Sequence, residues 1–174
     1  IDTSGSGLNR RGYRLAQGEA PIKETLAASL IRLANWKGDT PLIDPFCGSG
    51  TIAIEACLIA QNIAPGFNRE FVSEQWNIMP ANIYDDYRDE ADKMADYDKE
   101  IEVYASDIDP EMIEIAKRNA EEVGLSDIIK FSVKDVNTLT IDTEEPVALI
   151  GNPPYGERIG DREEVEEMYR YIGK

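Results

Sequence analysis

Leu42-Ile43-Asp44-Pro45-Phe46-Cys47-Gly48-Ser49-Gly50-Thr51 reads as a buried strand, an acid at its end, a glycine turn and the start of a helix. The strand is expected over residues 40–46 and the helix from about Gly50 to Gln61. Glycines let a backbone approach a ligand closely, and a helix N-terminus offers N–H groups that no turn of the helix has used. Dinucleotide sites use a related turn but want three glycines, G-x-G-x-x-G, to cradle a pyrophosphate. Here only Gly48-x-Gly50 is present, and the charge of Asp44 would oppose a phosphate. An acid beside an open glycine turn suits a ligand with a cationic or amino-acid end. S-adenosylmethionine has both.

The pattern repeats outward from this turn. Residues 101–106 read as a second strand, with Val103 and Ala105 pointing inward and Asp107 at its end; Asp109 as N-cap and Pro110 at the first helical position open the next helix. That helix carries Met112, Ile115, Ala116 and Ala120 at helical spacing and stops at Gly124. Residues 128–133 form a third strand leading to Asp135 and Val136, and residues 146–150 a fourth. Before the first strand, a helix is expected from Pro21 to about Trp36, with Ile22, Leu26, Leu30 and Leu33 or Ala34 as its apolar stripe. Apolar strands alternating with helices imply a parallel sheet covered on both faces, an open α/β fold. Three acids, Asp44, Asp107 and Asp135, then fall at three consecutive strand ends on one rim. Asp107 is placed to accept ribose hydroxyls, Ile108 to pack on a flat ring, and Asp135 to accept from an exocyclic amine.

The fourth strand stops at Asn152-Pro153-Pro154-Tyr155. Two prolines can neither donate to a sheet ladder nor continue it, so the chain leaves as a rigid loop. An amide at one end and an aromatic ring at the other suit a purine or pyrimidine gripped by its NH2 group.

Composition narrows the chemistry. There is no histidine, which removes Ser-His hydrolases, His-ligated zinc and His general bases together. Cys47 and Cys57 form no disulfide framework and lack the spacing of a metal site, which fits a reducing cytoplasm and no resident metal. No 18-residue apolar run is present, so no membrane partner is expected. The net charge of −16 is uneven: residues 1–37 hold six Lys/Arg against three Asp/Glu, the remainder twelve against thirty-one. A nucleic-acid partner normally leaves a basic footprint, and only Asn9-Arg10-Arg11-Gly12-Tyr13-Arg14, with Lys23 and Arg32, offers one. Residues 1–20 are expected to be linker and basic arm, and residues 21–174 the folded domain. Residues 62–99 are the least regular part, with an acidic solvated helix expected from Asp85 to Glu100; residues 162–171 read as a charged helix.

Taken together these residues resemble the class I S-adenosylmethionine-dependent methyltransferases that act on amines. Asp44 to Thr51 matches their first cofactor motif, and Asn152 to Tyr155 the catalytic motif of enzymes that methylate exocyclic base amines. Leu8 to Arg14, Ala20 to Ala28 and Asn152 to Ile159 look like the THUMP-associated RNA methyltransferases, especially the bacterial enzymes that make N2-methylguanine in large-subunit ribosomal RNA. The resemblance implies a Rossmann-like fold of which this chain holds the N-terminal part, an RNA-binding THUMP module lying upstream, and S-adenosylmethionine as cofactor. It implies a cofactor site of Asp44, Cys47, Gly48, Gly50, Thr51, Asp107, Ile108, Asp135, Val136 and Asn152. It also implies that Asn152 and the backbone carbonyl of Pro153 accept the two N–H bonds of the target amine, while Tyr155 stacks on the base. Arg158 is a candidate phosphate contact. An adenine-N6 methyltransferase on DNA or RNA, and a module that binds cofactor without turnover, remain alternatives.

Overall fold

A computed structural model of the chain describes residues 2–14, 21–141, 145–153 and 170. The elements follow in the order α1 (Glu24–Leu33), β1 (Leu42–Asp44), α2 (Thr51–Ala60), α3 (Ile83–Met94), β2 (Val103–Asp107), α4 (Pro110–Glu121), β3 (Ile129–Val133) and β4 (Ala148–Leu149), with short 3-10 turns at Val72–Gln75 and Val136–Thr138. The four strands pair in parallel in the order β3-β2-β1-β4. Leu42 lies opposite Val103 and Ala148, and Val103 opposite Ile129, so one face carries Leu42, Val103, Ala105 and Ile129, all buried.

That face is covered by α2 and α4. α2 is buried at nine of its ten positions, so it lacks the polar face of a surface helix and acts as the central rod of the core. α4 presents Ile113, Ala116 and Ala120 inward, with Asp109 Oδ1 accepting from the Glu111 N–H at 2.8 Å as its cap. The other face, with Ile43, Tyr104, Ser106 and Ser132, borders a hollow of about 430 Å³ whose far wall includes Ile141 and Val147.

α1 differs from its expected form. It begins at Glu24 rather than Pro21, with Lys23 as N-cap. The expected stripe splits: Leu26 is 53% and Leu33 82% exposed, whereas Ile22 and Leu30 are half-buried against the core. The fully buried positions are Glu24, Ala27 and Ile31. α1 packs chiefly on α2, and a small residue at Ala27 with a charge-paired Glu24 suits helix-on-helix contact. In α4 the inward centre is Ile113, with Met112 and Ile115 only half-buried. α3 buries none of its residues, as expected for the acidic stretch.

The basic segment is not a free arm. Tyr13 is 1% exposed and donates its hydroxyl to Glu55 Oε1 at 3.0 Å, Arg11 pairs with the same Glu55 oxygen at 3.4 Å, and Arg14 lies 3.5 Å from Glu24. Two arginines read as a nucleic-acid patch are thus spent on internal carboxylates. The reading of residues 162–171 as a helix falls outside the described residues apart from Arg170, which is helical.

Candidate active site

Chain order and strand order reverse between β1 and β4: the chain runs outward from β1 to β2 and β3, then returns to the opposite flank of β1. In open α/β sheets such a switch point leaves a crevice at the carboxyl ends of the strands, where ligands bind. Asp44 ends β1 at this point, and β4 delivers Gly151 and Asn152 beside it. A Cβ on Gly151 would lie 3.2 Å from Asp44 Oδ1 and 3.3 Å from both Phe46 and Pro45. Absence of a side chain there lets the loop after β4 close on the acid.

Asp44 has no accessible surface. Burial, with the charge of Asp107 adding, pushes its carboxyl up to about 7, against the Phe46 N–H that Oδ1 accepts at 3.2 Å. Oδ2 is buried and has no hydrogen-bond partner among the described residues. An unpaired buried carboxylate oxygen is costly and marks a place where a donor is missing.

The glycine turn is held from three sides. Cys47 N–H donates to the Ser106 carbonyl at 2.9 Å, Gly48 N–H to Asp107 Oδ2 at 2.9 Å, and Gly50 N–H to the Cys47 carbonyl at 2.8 Å. These three N–H groups are therefore not free for a ligand, which narrows the expected donors to those at the start of α2 itself. Asp107 Oδ1 accepts from the Asp109 N–H at 3.0 Å, so one carboxylate bridges the turn after β1 and the start of α4. Each of its oxygens still has a lone pair for an incoming hydroxyl. Gly48 (φ +49°) faces open space, whereas Gly50 (φ +83°) has Ala116 so close that a Cβ would sit 3.0 Å from its methyl.

The remaining candidates divide. Ile108 is 68% exposed at the end of β2, an apolar surface beside Asp107. Asp135 is half-buried and uses Oδ1 to accept from the Asn137 N–H (2.9 Å) and side-chain amide (3.0 Å), capping the turn that buries Val136. Cys47 and Thr51 are 6% and 2% exposed and face inward. Burial and the charges of Asp44 and Asp107 raise the Cys47 thiol well above its ordinary value, so it is no thiolate nucleophile. Thr51 Oγ1 accepts from Arg14 Nη2 at 2.8 Å. Asn152 and Pro153 are half-buried; Tyr155 and Arg158 lie outside the described residues.

Sequence reasoning missed three residues of the site's frame. Gly151 precedes Asn152 and carries the close approach. Asn119 is wholly buried and donates from Nδ2 to the Ser49 carbonyl at 3.0 Å; a polar residue within an apolar helix stripe was the available signal. Arg14 reaches Thr51, and nothing in its spacing distinguished it from Arg10 or Arg11.

A parallel sheet with an acid-glycine turn at its switch point and a second acid on the adjacent strand defines the class I methyltransferase architecture. Residues 11–174 match the family described as RMKL-like, methyltransferase domain, and the chain belongs to that family. It is 55% identical over its whole length to the protein of Bacillus subtilis (strain 168) named "Putative RNA methyltransferase YpsC", spanning 45% of it. It is 44% identical to "Ribosomal RNA large subunit methyltransferase K/L" of Shewanella frigidimarina (strain NCIMB 400), over 99% of the chain and 25% of that protein. Among solved structures, it superposes with TM-score 0.93 on a Listeria monocytogenes str. 4b F2365 protein called a "predicted N6-adenine-specific DNA methylase", at 55% identity, covering 99% of this chain and 45% of that one. SMU.472, solved in complex with SAH, matches with TM-score 0.91 at 47% identity over the same shares. The chain thus spans less than half the length of these relatives. No helix among the described residues is long and apolar enough to cross a membrane.

Proposed function

We propose that this chain is the cofactor-binding part of an S-adenosylmethionine-dependent RNA methyltransferase acting on an exocyclic base nitrogen, with guanine N2 of 23S ribosomal RNA as target and the bacterial cytoplasm as its place of work. The observation that carries the reading is the unpartnered, buried Oδ2 of Asp44 at the switch point, with Asp107 beside it and Asn152 one residue beyond the contact with Gly151. The SAH complex of SMU.472 and the ribosomal RNA methyltransferase name of the Shewanella relative support it.

In this reading Asp44 offers an acceptor to the amino-acid end of the cofactor, Asp107 accepts from ribose hydroxyls with the lone pairs its internal bonds leave, and Ile108 lies against the adenine. S-adenosylmethionine supplies the methyl group as an electrophile on a sulfonium. Asn152 and the Pro153 carbonyl accept the two N–H bonds of the target amine, which draws its lone pair out of conjugation and aims it. As the N–CH3 bond formed, the S–CH3 bond would break to leave a neutral thioether, and the methylated nitrogen, made strongly acidic, would shed its extra proton to water. Fixed dipoles and positioning supply the acceleration, so no strong general base is required, in keeping with a chain that has no histidine. Tyr155 stacks on the base, which must be unpaired or flipped to reach the site.

Calorimetric titration of the full-length protein with S-adenosylhomocysteine tests the cofactor site. Saturable binding weakened by Asp44→Ala and Asp107→Ala is expected; wild-type affinity in both variants would sink the assignment. The Listeria protein's name favours a second reading, adenine N6 as acceptor. Digesting methylated RNA to nucleosides separates the two: N2-methylguanosine is expected, and N6-methyladenosine would replace the guanine reading.

A further inference from the structure

Gly48 and Gly50 both have positive φ, so the turn that faces the cleft contains two residues with little conformational preference of their own. What selects one conformation is a set of side-chain tethers from outside the turn. Asp107 holds the Gly48 N–H and Asn119 holds the Ser49 carbonyl, both from within the same β-α-β unit. The third tether comes from elsewhere in the chain: Arg14 Nη2 donates at 2.8 Å to Oγ1 of Thr51, the first residue of α2, and at 2.8 Å to the Ile22 carbonyl. Thr51 Oγ1 is also 3.4 Å from Ser49 Oγ, so the hydroxyls on both sides of Gly50 meet beneath the turn. Arg14 is 14% exposed and Glu24, 3.5 Å from its Nε, is 5% exposed. That pairing is coulombic, since Nε makes no hydrogen bond among the described residues. A charged, mostly buried arginine therefore fixes the first turn of α2 from below while leaving the cleft side open.

We propose that Arg14 is a positioning residue for the cofactor: it preorganises the Gly48–Thr51 turn through the Thr51 hydroxyl and touches no ligand itself. The inference rests on the reading that this turn holds S-adenosylmethionine. Preorganisation lowers the ordering cost of binding, so its loss raises Kd and KM for the cofactor and leaves kcat at saturation nearly unchanged. Arg11 provides the internal control. It belongs to the same segment and pairs with Glu55 one helical turn further along α2, away from the glycine turn.

The test uses the full-length protein and S-adenosylhomocysteine calorimetry, with Arg14→Gln, Thr51→Val, their combination, Thr51→Ser and Arg11→Gln. Arg14→Gln and Thr51→Val should each weaken binding roughly tenfold, the double variant little more than either, as expected for partners in one interaction. Thr51→Ser, which keeps the hydroxyl, should bind like wild type, and Arg11→Gln should lose thermal stability without losing affinity. Wild-type affinity in folded Arg14→Gln, or in Thr51→Val should Arg14→Gln not fold, overturns the proposal. An equal loss of affinity in Arg11→Gln also overturns it, since the segment would then act only as packing. Failure of the wild-type protein to bind S-adenosylhomocysteine at all would instead remove the cofactor reading, and this inference with it.

Discussion

Water does not reach the Asp44 carboxyl, and this burial, reinforced by the nearby Asp107, keeps its proton on to about pH 7, against about 3.8 for an ordinary aspartate. Between those values the native chain binds a proton that the unfolded chain has released, so stability falls as pH rises through the window. The effect is absent below about pH 4 and complete above about pH 7, where it amounts to roughly 4 kcal/mol. In ligand-free protein, Asp44→Asn should melt higher than wild type at pH 8, and the gap should narrow progressively as pH falls toward about 4. Parallel melting curves for the two proteins across this range would remove Asp44 as the source. A donor from the cofactor on Oδ2 should pull the carboxyl down again, so cofactor binding should tighten from pH 6 to 8 in wild type and not in Asp44→Asn. In the proposed reaction Asn152 makes a different kind of contribution, because its acceptor also serves the target amine. Asn152→Ala should lower the methylation rate at saturating cofactor roughly 10²-fold; methylation at the wild-type rate would exclude Asn152 from catalysis.

The two glycines of the turn test the element scale, since they share a positive φ but not a neighbourhood. Gly50→Ala incurs left-handed strain of about 1–2 kcal/mol and also drives a methyl against Ala116, 3.0 Å away, prising α2 from α4. Gly48→Ala incurs only the strain, because its Cβ would meet nothing within 4 Å among the described residues, but it fills the open side of the turn. Chemical denaturation should therefore show Gly50→Ala as the less stable by about 1–3 kcal/mol, and Gly48→Ala should lose more cofactor affinity per unit of stability lost. Equal destabilisation would mean that α2 and α4 yield freely at Ala116. The strand-acid-glycine-helix run was legible because each step has a local cause: apolar residues, a charge, two glycines, a cap. Asp109 as N-cap was legible for the same reason. The face of α1 was not, because Ile22-Leu26-Leu30-Leu33 and Glu24-Ala27-Ile31 both have helical spacing, and the choice between them depends on which surface α2 presents. Nor could sequence show that Asp107 clamps Gly48, a contact across 59 residues.

At the scale of the whole molecule, residues 62–99 and the segment before Arg14 explain one another. Arg69 is 7% exposed and divides its guanidinium among four carbonyls: Nη1 donates to Gly7 (3.2 Å) and Arg10 (3.3 Å), Nη2 to Ser4 (3.1 Å) and Ser6 (2.7 Å). Phe71 lies under the same guanidinium at 4.9 Å, and Arg88 from α3 holds the Arg69 carbonyl at 3.1 Å and Glu74 at 2.6 Å. Ser73 adds its N–H (3.2 Å) and hydroxyl (2.8 Å) to the Thr3 carbonyl. Gly12 lies against the Asn68 carbonyl with no room for a side chain. The irregular region is thus a dock that carries the early segment toward α2, where Arg11, Tyr13 and Arg14 meet Glu55 and Thr51. A lysine has one nitrogen and no planar fork, so it cannot satisfy four carbonyls in this arrangement. Arg69→Lys should therefore expose residues 2–14 to protease while α2 and the sheet stay protected, and lower stability by roughly 1–3 kcal/mol, the freed carbonyls near the surface recovering part of their loss in water. If Arg14 acts through Thr51 as inferred, release of the dock should also weaken cofactor binding, by less than Arg14→Gln does, because Glu24 and the Ile22 carbonyl still hold that arginine. Cleavage of residues 2–14 at the wild-type rate in Arg69→Lys would show that the anchoring comes from the Arg14 end alone and that the dock serves only to fold itself.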